Sequence, residues 1–331
     1  MSVISKRHLL GAGARTMLCA LALLAAGSVQ AQDFPTRTIT IVVPFPPGGS
    51  TDLLARQIAD RISGPLKQPV IVENRPGAGG TVGANSVAKA APDGYTLLLG
   101  VTGTNAISAA LRDDLPYDPV KDLAPVTMVV TAPLAIVVKA DSPIKNVKDF
   151  IATTKAKPNS ITHGTPGVGT SMHLAAELFG LESGTKLVHV PYKGSAGAVQ
   201  DLLGGQLDAM FGDVLVTVEY IKGGQLRALA VTSKERHFML PDVPTLAESG
   251  LPGFEALSWQ ALFAPAGTPQ PILTKLHAEV SKALRSDDLK KYFADRGFVV
   301  DDRSPQASKD YVEADVKKWK RVVDAAGLKT K

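Results

Sequence analysis

Two stretches of this chain place hydroxyl side chains directly after glycines: Gly48-Gly49-Ser50-Thr51-Asp52 and Gly167-Val168-Gly169-Thr170-Ser171. Glycine lets backbone N–H groups come close to a bound group, and Ser, Thr and Asp are N-cap residue types. A helix N-terminus offers free N–H donors and the positive end of the helix dipole, so each stretch could hold an anion. Either stretch taken singly also reads as an ordinary strand-to-helix turn with no ligand. Asp213 ends an apolar run, residues 207–213. A buried acid there needs a cationic or hydroxyl partner; capping a helix over residues 214–221 is the alternative role. Phe45 and Tyr192 follow apolar runs in matching places of the two halves of the chain. They read equally as lids over a ligand or as loop packing.

Other chemistries find less support. Ser50, Ser171 and Ser195 with His163, His173 and His189 could assemble an exported serine hydrolase, but residues 32–331 contain no G-x-S-x-G, and Ser or Thr at a helix start is usually a cap. His173 falls one turn inside a helix, as packing or as a cap partner. The run from Gly164 to Ser171 has the glycine spacing of a phosphate loop, but Thr170 stands where the lysine is required. The run from Gly77 to Gly83 approaches a dinucleotide fingerprint with its third glycine one place late, and it follows the second strand of its unit. His163 and His173 lack clustered acidic partners, so no metal site and no cofactor is expected.

The elements that must position these residues follow from periodicity. Residues 39–43 form a β-branched run stopped by Pro44, Pro46 and Pro47. Leu54, Ile58 and Ile62 then recur one turn apart as a helical face. Residues 69–73 and 95–100 read as further strands, with a helix over 82–90 between them, giving βαβαβ and a parallel sheet. Ligands of such sheets sit beyond the carboxyl ends of the strands, where the loop at Thr102-Gly103-Thr104-Asn105 also falls. Residues 126–130 and 134–138 read as two strands parted by Thr131-Ala132-Pro133. A second unit then repeats the scheme, with strands at 161, 187–190, 207–213 and 226–231 and helices over 144–154, 172–179 and 196–203. Residues 258–263 return to the first unit, followed by helices over 269–286, 287–296 and 305–326. Two α/β lobes crossed more than once describe a hinged clamp.

Ahead of this lies a leader. Lys6, Arg7 and Arg15 precede or flank an apolar run over residues 16–27, and Val29-Gln30-Ala31 fits a small-x-small cleavage site. The run is shorter than the roughly 20 residues a membrane span needs, so residues 1–31 are expected to be an export signal cleaved after Ala31. The single cysteine, Cys19, belongs to it. Without those three basic residues, 33 of the 36 Lys+Arg remain against 31 Asp+Glu, a net +2. Basic residues are scattered and aromatics few, so no nucleic-acid partner is expected.

The runs VVPFPPGGSTDLLAR, VENRPGAGGTVGANSVAKAAPDGYTLLLG, HGTPGVGTSMHLAAELF, HVPYKGSAGAVQDLLGGQLDAMFGD and LRALAVTS with LPDVPTLAESGLPGFE closely resemble the Bug family (TctC-like). These are extracytoplasmic solute receptors of tripartite tricarboxylate transporters. The resemblance covers nearly all of residues 32–331. It implies an α/β periplasmic-binding-protein fold of type II-like arrangement: two lobes with parallel-rich sheets around a central cleft, hinged by two crossings. Lobe 1 would be residues 32–131 and 258–331, and lobe 2 residues 132–257. In the family a carboxylate is held between the loop after the first strand and the glycine loop of the second lobe, partly through ordered waters. Members often carry an acid at the place of Asp213, which in amino-acid binders can meet the ammonium. The implied ligand-binding residues are Phe45, Pro47, Gly48, Gly49, Ser50, Thr51, Thr104, Thr165, Gly169, Thr170, Ser171, His173, Tyr192 and Asp213, with none catalytic. The N–H groups of Gly48, Gly49, Gly169 and Thr170 would cap the anion without any lysine or arginine. The implied protein is a periplasmic monomer that is not an enzyme. It captures a mono-, di- or tricarboxylate or an amino acid and delivers it to membrane transporter subunits. A receptor signalling to a membrane kinase is the other reading.

Overall fold

The buried β-branched residues after Arg37 build the first strand of the fold. The computed structural model describes residues 34–329; the expected leader and its cleavage point lie outside the described residues. Strand β1 (Ile39–Val43) has four of its five residues buried and is followed by helix α1 (Ser50–Leu66). Strand β2 (Val70–Asn74) leads through a 3-10 turn, Ala78–Gly80, into α2 (Thr81–Ala88). Strand β3 (Thr96–Val101) runs into a π-helical turn, Gly103–Ile107, and the short helix α3 (Ser108–Leu111). Strands β2 and β3 flank β1 in parallel, the expected βαβαβ arrangement. The apolar stripe of α1 is buried, with Leu54, Ile58 and Ile62 at 0% exposure.

Strand β4 (Leu123–Lys139) is one continuous strand of 17 residues, which corrects the expected break at Thr131-Ala132-Pro133. The reason lies in its partners. Its first half pairs with β9 (Leu257–Pro265) as far as Pro133↔Leu257, and pairing with β7 (Ala209–Asp213) begins at Leu134↔Asp213. Pro133 sits at the handover, where its missing N–H interrupts neither ladder. After β4 come α4 (Val147–Ala156), β5 (Thr162–Thr165), α5 (Ser171–Ser183), β6 (Val188–Pro191), α6 (Ser195–Leu203), β7, α7 (Val214–Lys222) and β8 (Leu226–Val231). Strands β6 and β7 flank β5 in parallel, repeating the first unit. The chain returns through β9, then α8 (Gln270–Leu284), α9 (Asp287–Ala294), β10 (Val299–Val300) and α10 (Pro305–Ala326).

The strand order is β2-β1-β3-β9-β4-β7-β5-β6, with β8 and β10 also pairing to β4. The parallel trio at each end is therefore joined through the antiparallel pair β4 and β9. Where the chain crosses, Thr232 acts as a clamp: its Oγ1 accepts the Leu134 N–H at 2.9 Å and donates to Ala256 O at 2.5 Å. Beneath β9, the indole N–H groups of Trp259 and Trp319 both donate to Asp315 Oδ2 at 2.8 Å. That shared acceptor fixes α10 against β9 while leaving both rings in the apolar core. Among the described residues, no helix is long and apolar enough to cross a membrane.

Candidate ligand cleft at converging helix N-termini

The loop after β1 is tied down from below. Asp52, buried on the first turn of α1, accepts the Gly48 N–H at 2.9 Å and the Asn74 side-chain amide at 3.0 Å, and it pairs with Arg56 at 2.9 Å. Asn74, at the end of β2, also donates to Phe45 O at 3.0 Å. Burial alone would raise the Asp52 pKa, but Arg56, the Gly48 N–H and Asn74 outweigh it and hold the carboxyl below its usual range. With Asp52 turned back onto the loop, α1 has no side-chain cap. The N–H groups at Ser50 and Thr51 are therefore left for whatever enters the space above.

The loop after β5 is supported differently. The Gly169 N–H donates to His173 Nδ1 at 3.2 Å. Thr170 Oγ1 donates to Gly167 O at 2.8 Å and caps α5 by accepting the His173 N–H at 3.3 Å. Gly169 has φ +78°, and a Cβ there would lie 2.9 Å from Leu111 Cδ1. Only glycine permits this close approach of the two halves. Helices α2, α6 and α7 also start without a side-chain cap, behind Gly80, Gly194 and Asp213.

The starts of α1, α2, α5 and α6 line one cleft of about 600 Å³ together with Asp213. Its hydroxyl residues are Ser50, Thr51, Thr81, Thr102, Ser108, Thr170, Ser171, Ser195 and Ser258, and its apolar wall includes Phe45, Val101, Leu111, Val168, Met172 and Trp259. Asp213 is its one carboxyl and Arg112 its one guanidinium. Arg112 is already engaged by Asp114 through two hydrogen bonds of 2.9 and 3.1 Å. Asp213 ends β7 but does not cap α7, so the capping alternative does not describe it. Among the described residues its carboxyl has no hydrogen-bond or ion-pair partner, and burial pushes its pKa up to about 7. The cleft therefore combines helix N–H donors and hydroxyls, suited to an anion, with one uncompensated acid.

Of the residues named from sequence, Phe45, Gly49, Ser50, Thr51, Gly169, Thr170, Ser171 and Asp213 line this cleft. The others do not line it. The Gly48 N–H is held by Asp52, and Pro47 is exposed on the loop. Thr104 is fully buried, its hydroxyl bonded to Asn105 at 2.6 Å. Thr165 is buried against His189 at 2.6 Å, and His173 is buried under Gly169. Tyr192 donates to Asp201 Oδ2 at 2.6 Å, so its ring packs beside the loop and its hydroxyl is committed. Arg112, Thr81, Ser195, Ser258 and Gln260 were not foreseen as lining residues. Gly194-Ser195 repeats the Gly49-Ser50 pattern and could have been found by it. Ser258 and Gln260 reach the cleft only because β9 pairs with β4.

The serines and histidines do not form a nucleophile–base pair. Ser171 Oγ lies against Met172 and Ser258, while His173 and His189 are bonded to Gly169 and Thr165. Among the described residues no group of three or more His, Cys, Asp or Glu side chains is placed to hold a metal ion. A second groove of about 560 Å³, between α5 and α10, collects no helix N-terminus.

Comparison with known proteins gives the same picture. Residues 54–328 match the tripartite tricarboxylate transporter family receptor, TctC. Protein BugT of Bordetella pertussis is 39% identical over 307 residues, 92% of this chain and 94% of that protein. The structure of Rpa4515 of Rhodopseudomonas palustris with adipate is 36% identical, with a TM-score of 0.75 over 89% of this chain and 98% of that one. That of MatC from the same organism with bound malate is 37% identical, with a TM-score of 0.73 over 88% and 100%. Fold, cleft and sequence agree that this chain is a solute-binding receptor and belongs to the Bug (TctC-like) family of tripartite tricarboxylate transporter receptors.

Proposed function

We propose that this receptor captures a small organic carboxylate between its two lobes in the periplasm and delivers it to the membrane subunits of a tripartite tricarboxylate-type transporter. The observation that carries this reading is the uncapped start of α1 facing the same cleft as the starts of α5 and α6. Opposed helix N-termini provide donors and positive potential for a carboxylate without a committed cation. The adipate and malate bound to the two related structures belong to the same ligand class. We place the lobe boundaries at residues 131/132 and 257/258, beside the Thr232 clamp.

Asp213 narrows the ligand. An ionised acid with no partner is satisfied by an ammonium or hydroxyl on the ligand, and a protonated one can donate to a second carboxylate. Both an amino acid and a dicarboxylate are therefore accommodated, through opposite protonation states of one side chain.

The test is mass spectrometry of ligand co-purifying from the exporting host, followed by thermal shift of the stripped protein against mono-, di- and tricarboxylates and amino acids. Ligand at 100 times Kd should add about 2.7 kcal/mol of stability. If no member of the panel moves the transition, the carboxylate reading fails. Loss of labelled-ligand uptake on deleting the receptor, with restoration by the intact gene, tests delivery.

A further inference from the structure

The loop that presents Thr170 and Ser171 rests on three histidines outside the cleft wall. His163 on β5, His189 on β6 and His173 on α5 form a stack. Ring centroids are 5.1 Å apart for His163 and His189 and 4.0 Å for His189 and His173. Two of these rings grip the loop on either side of Gly167. His189 Nε2 lies 2.6 Å from Thr165 Oγ1, and His173 Nδ1 accepts the Gly169 N–H at 3.2 Å. Accepting that bond requires Nδ1 to be unprotonated, so the neutral ring carries its proton on Nε2. Nε2 faces Glu177 Oε1 at 3.6 Å.

Little around the stack favours a charge. Strands β5 and β6 offer His173 only the other two imidazoles, and β7 offers the ring of Phe211, 5.6 Å from His163. From α5 itself comes Glu177, whose own pKa burial raises. On α10, Arg321 is paired with Glu182 at 3.2 Å; Lys186, between α5 and β6, lines the same groove as Glu177. Burial first, then repulsion between the rings, lowers His163 to about 3 and His173 to about 4. A proton added at Nδ1 of His173 turns the acceptor into a donor facing another donor, and the Gly169 N–H must then leave.

We propose that His173 is a positioning residue for ligand binding: its neutral Nδ1 latches the Gly167–Thr170 loop in the shape that presents Thr170 and Ser171 to the cleft, and protonation of the stack unlatches the loop and weakens binding. The ligand arm of the test rests on the carboxylate-receptor reading; the exchange arm does not.

The experiment compares wild type, His173→Ala and His173→Asn, the last keeping an acceptor near the Nδ1 position without a titrating ring. Amide hydrogen exchange at Gly169, read without ligand, should be protected in wild type and His173→Asn at pH 7.5. In His173→Ala it should be about tenfold faster. Malate and adipate affinities are then measured from pH 7.5 to pH 4. His173→Ala should bind about tenfold more weakly at pH 7.5, and His173→Asn within about threefold of wild type. The ratio of wild-type to His173→Asn Kd, from which ligand ionisation cancels, should be flat above pH 5.5 and rise about twofold by pH 4. Equal Gly169 protection in wild type and His173→Ala overturns the proposal, as does a ratio constant across the whole range. Failure of wild type to bind any carboxylate counts against the function proposed above and leaves the exchange arm to decide this one.

Discussion

Ser50 is the first residue of α1, behind the N-cap Gly49, whereas Thr170 is itself the N-cap of α5, and their hydroxyls do different things. Thr170 Oγ1 is spent on Gly167 and His173, whereas Ser50 is exposed and caps nothing. Ser50→Ala should therefore weaken ligand binding by about 1 kcal/mol with no change in melting temperature. Thr170→Ala should lose both affinity and about 1 kcal/mol of stability as the cap goes; calorimetric titration with thermal melts separates the two. Asp213 gives a pH signature. Its folded pKa of about 7 lies above its unfolded value, so the stability it contributes is fully present below pH 4 and is lost as pH rises toward 7. Asp213→Asn lacks this loss. It should match wild type in stability near pH 4 and exceed it by about 2–4 kcal/mol at pH 8, as denaturant melts would show. Calorimetry at pH 7 in buffers of different ionisation enthalpy should show proton release when an ammonium-bearing ligand binds and proton uptake when a second carboxylate meets Asp213. Asp213→Asn should abolish both.

At the scale of elements, the loop after β1 is rigid because α1 reaches back to it. Asp52 bonds the Gly48 N–H, Asn74 and Arg56 at once, so the first turn of α1 and the end of β2 hold the loop together. The carboxyl pKa is lowered, so this stability is present above pH 4 and is lost as pH falls through the folded value. Asp52→Ala should cost about 1–3 kcal/mol and weaken ligand binding by loosening the loop, measured by chemical denaturation and by Kd at neutral pH. On the neighbouring element, Gly83 lets α2 approach the loop: a Cβ there would lie 2.7 Å from Arg75 O and 2.8 Å from Pro44 Cα. Backbone cannot yield as a flexible side chain does, so Gly83→Ala should destabilise by about 1–3 kcal/mol, read in the same denaturation series. The glycine that spoils the dinucleotide fingerprint is thus a packing glycine.

For the molecule as a whole, the two parallel trios are joined by β4 and β9 lying side by side, clamped by Thr232. A closing motion then twists a paired ribbon instead of swinging on slack linkers. Saturating carboxylate should reduce the radius of gyration in solution scattering, and Gly169→Ala, which sets a methyl against Leu111, should blunt that change while weakening binding. An unchanged radius in wild type would argue that the cleft is already in its ligand-holding shape.

By itself the sequence determined the α/β class, the two repeated strand–loop–helix units and the two glycine-hydroxyl loops, because these depend on local periodicity, proline stops and glycine freedom. Eight of the candidate residues, from Phe45 to Asp213, proved to share one cleft, since loops at the carboxyl ends of parallel strands must gather there. Only the tertiary structure decided which N–H groups are spoken for. Gly48 and Gly169 look like free donors in the sequence, but Asp52 and His173 claim them. Thr104 and Tyr192 look like ligand contacts, but their hydroxyls are bonded within the protein. The continuity of β4 through Pro133, and with it the delivery of Ser258 and Gln260 to the cleft floor, depends on pairing with β9 more than a hundred residues away. The partners of Gly48, Gly169, Thr104 and Tyr192 lie only one to nine residues away, so the sequence places them within reach, and the packed side-chain orientations of the fold decide which donor and acceptor meet.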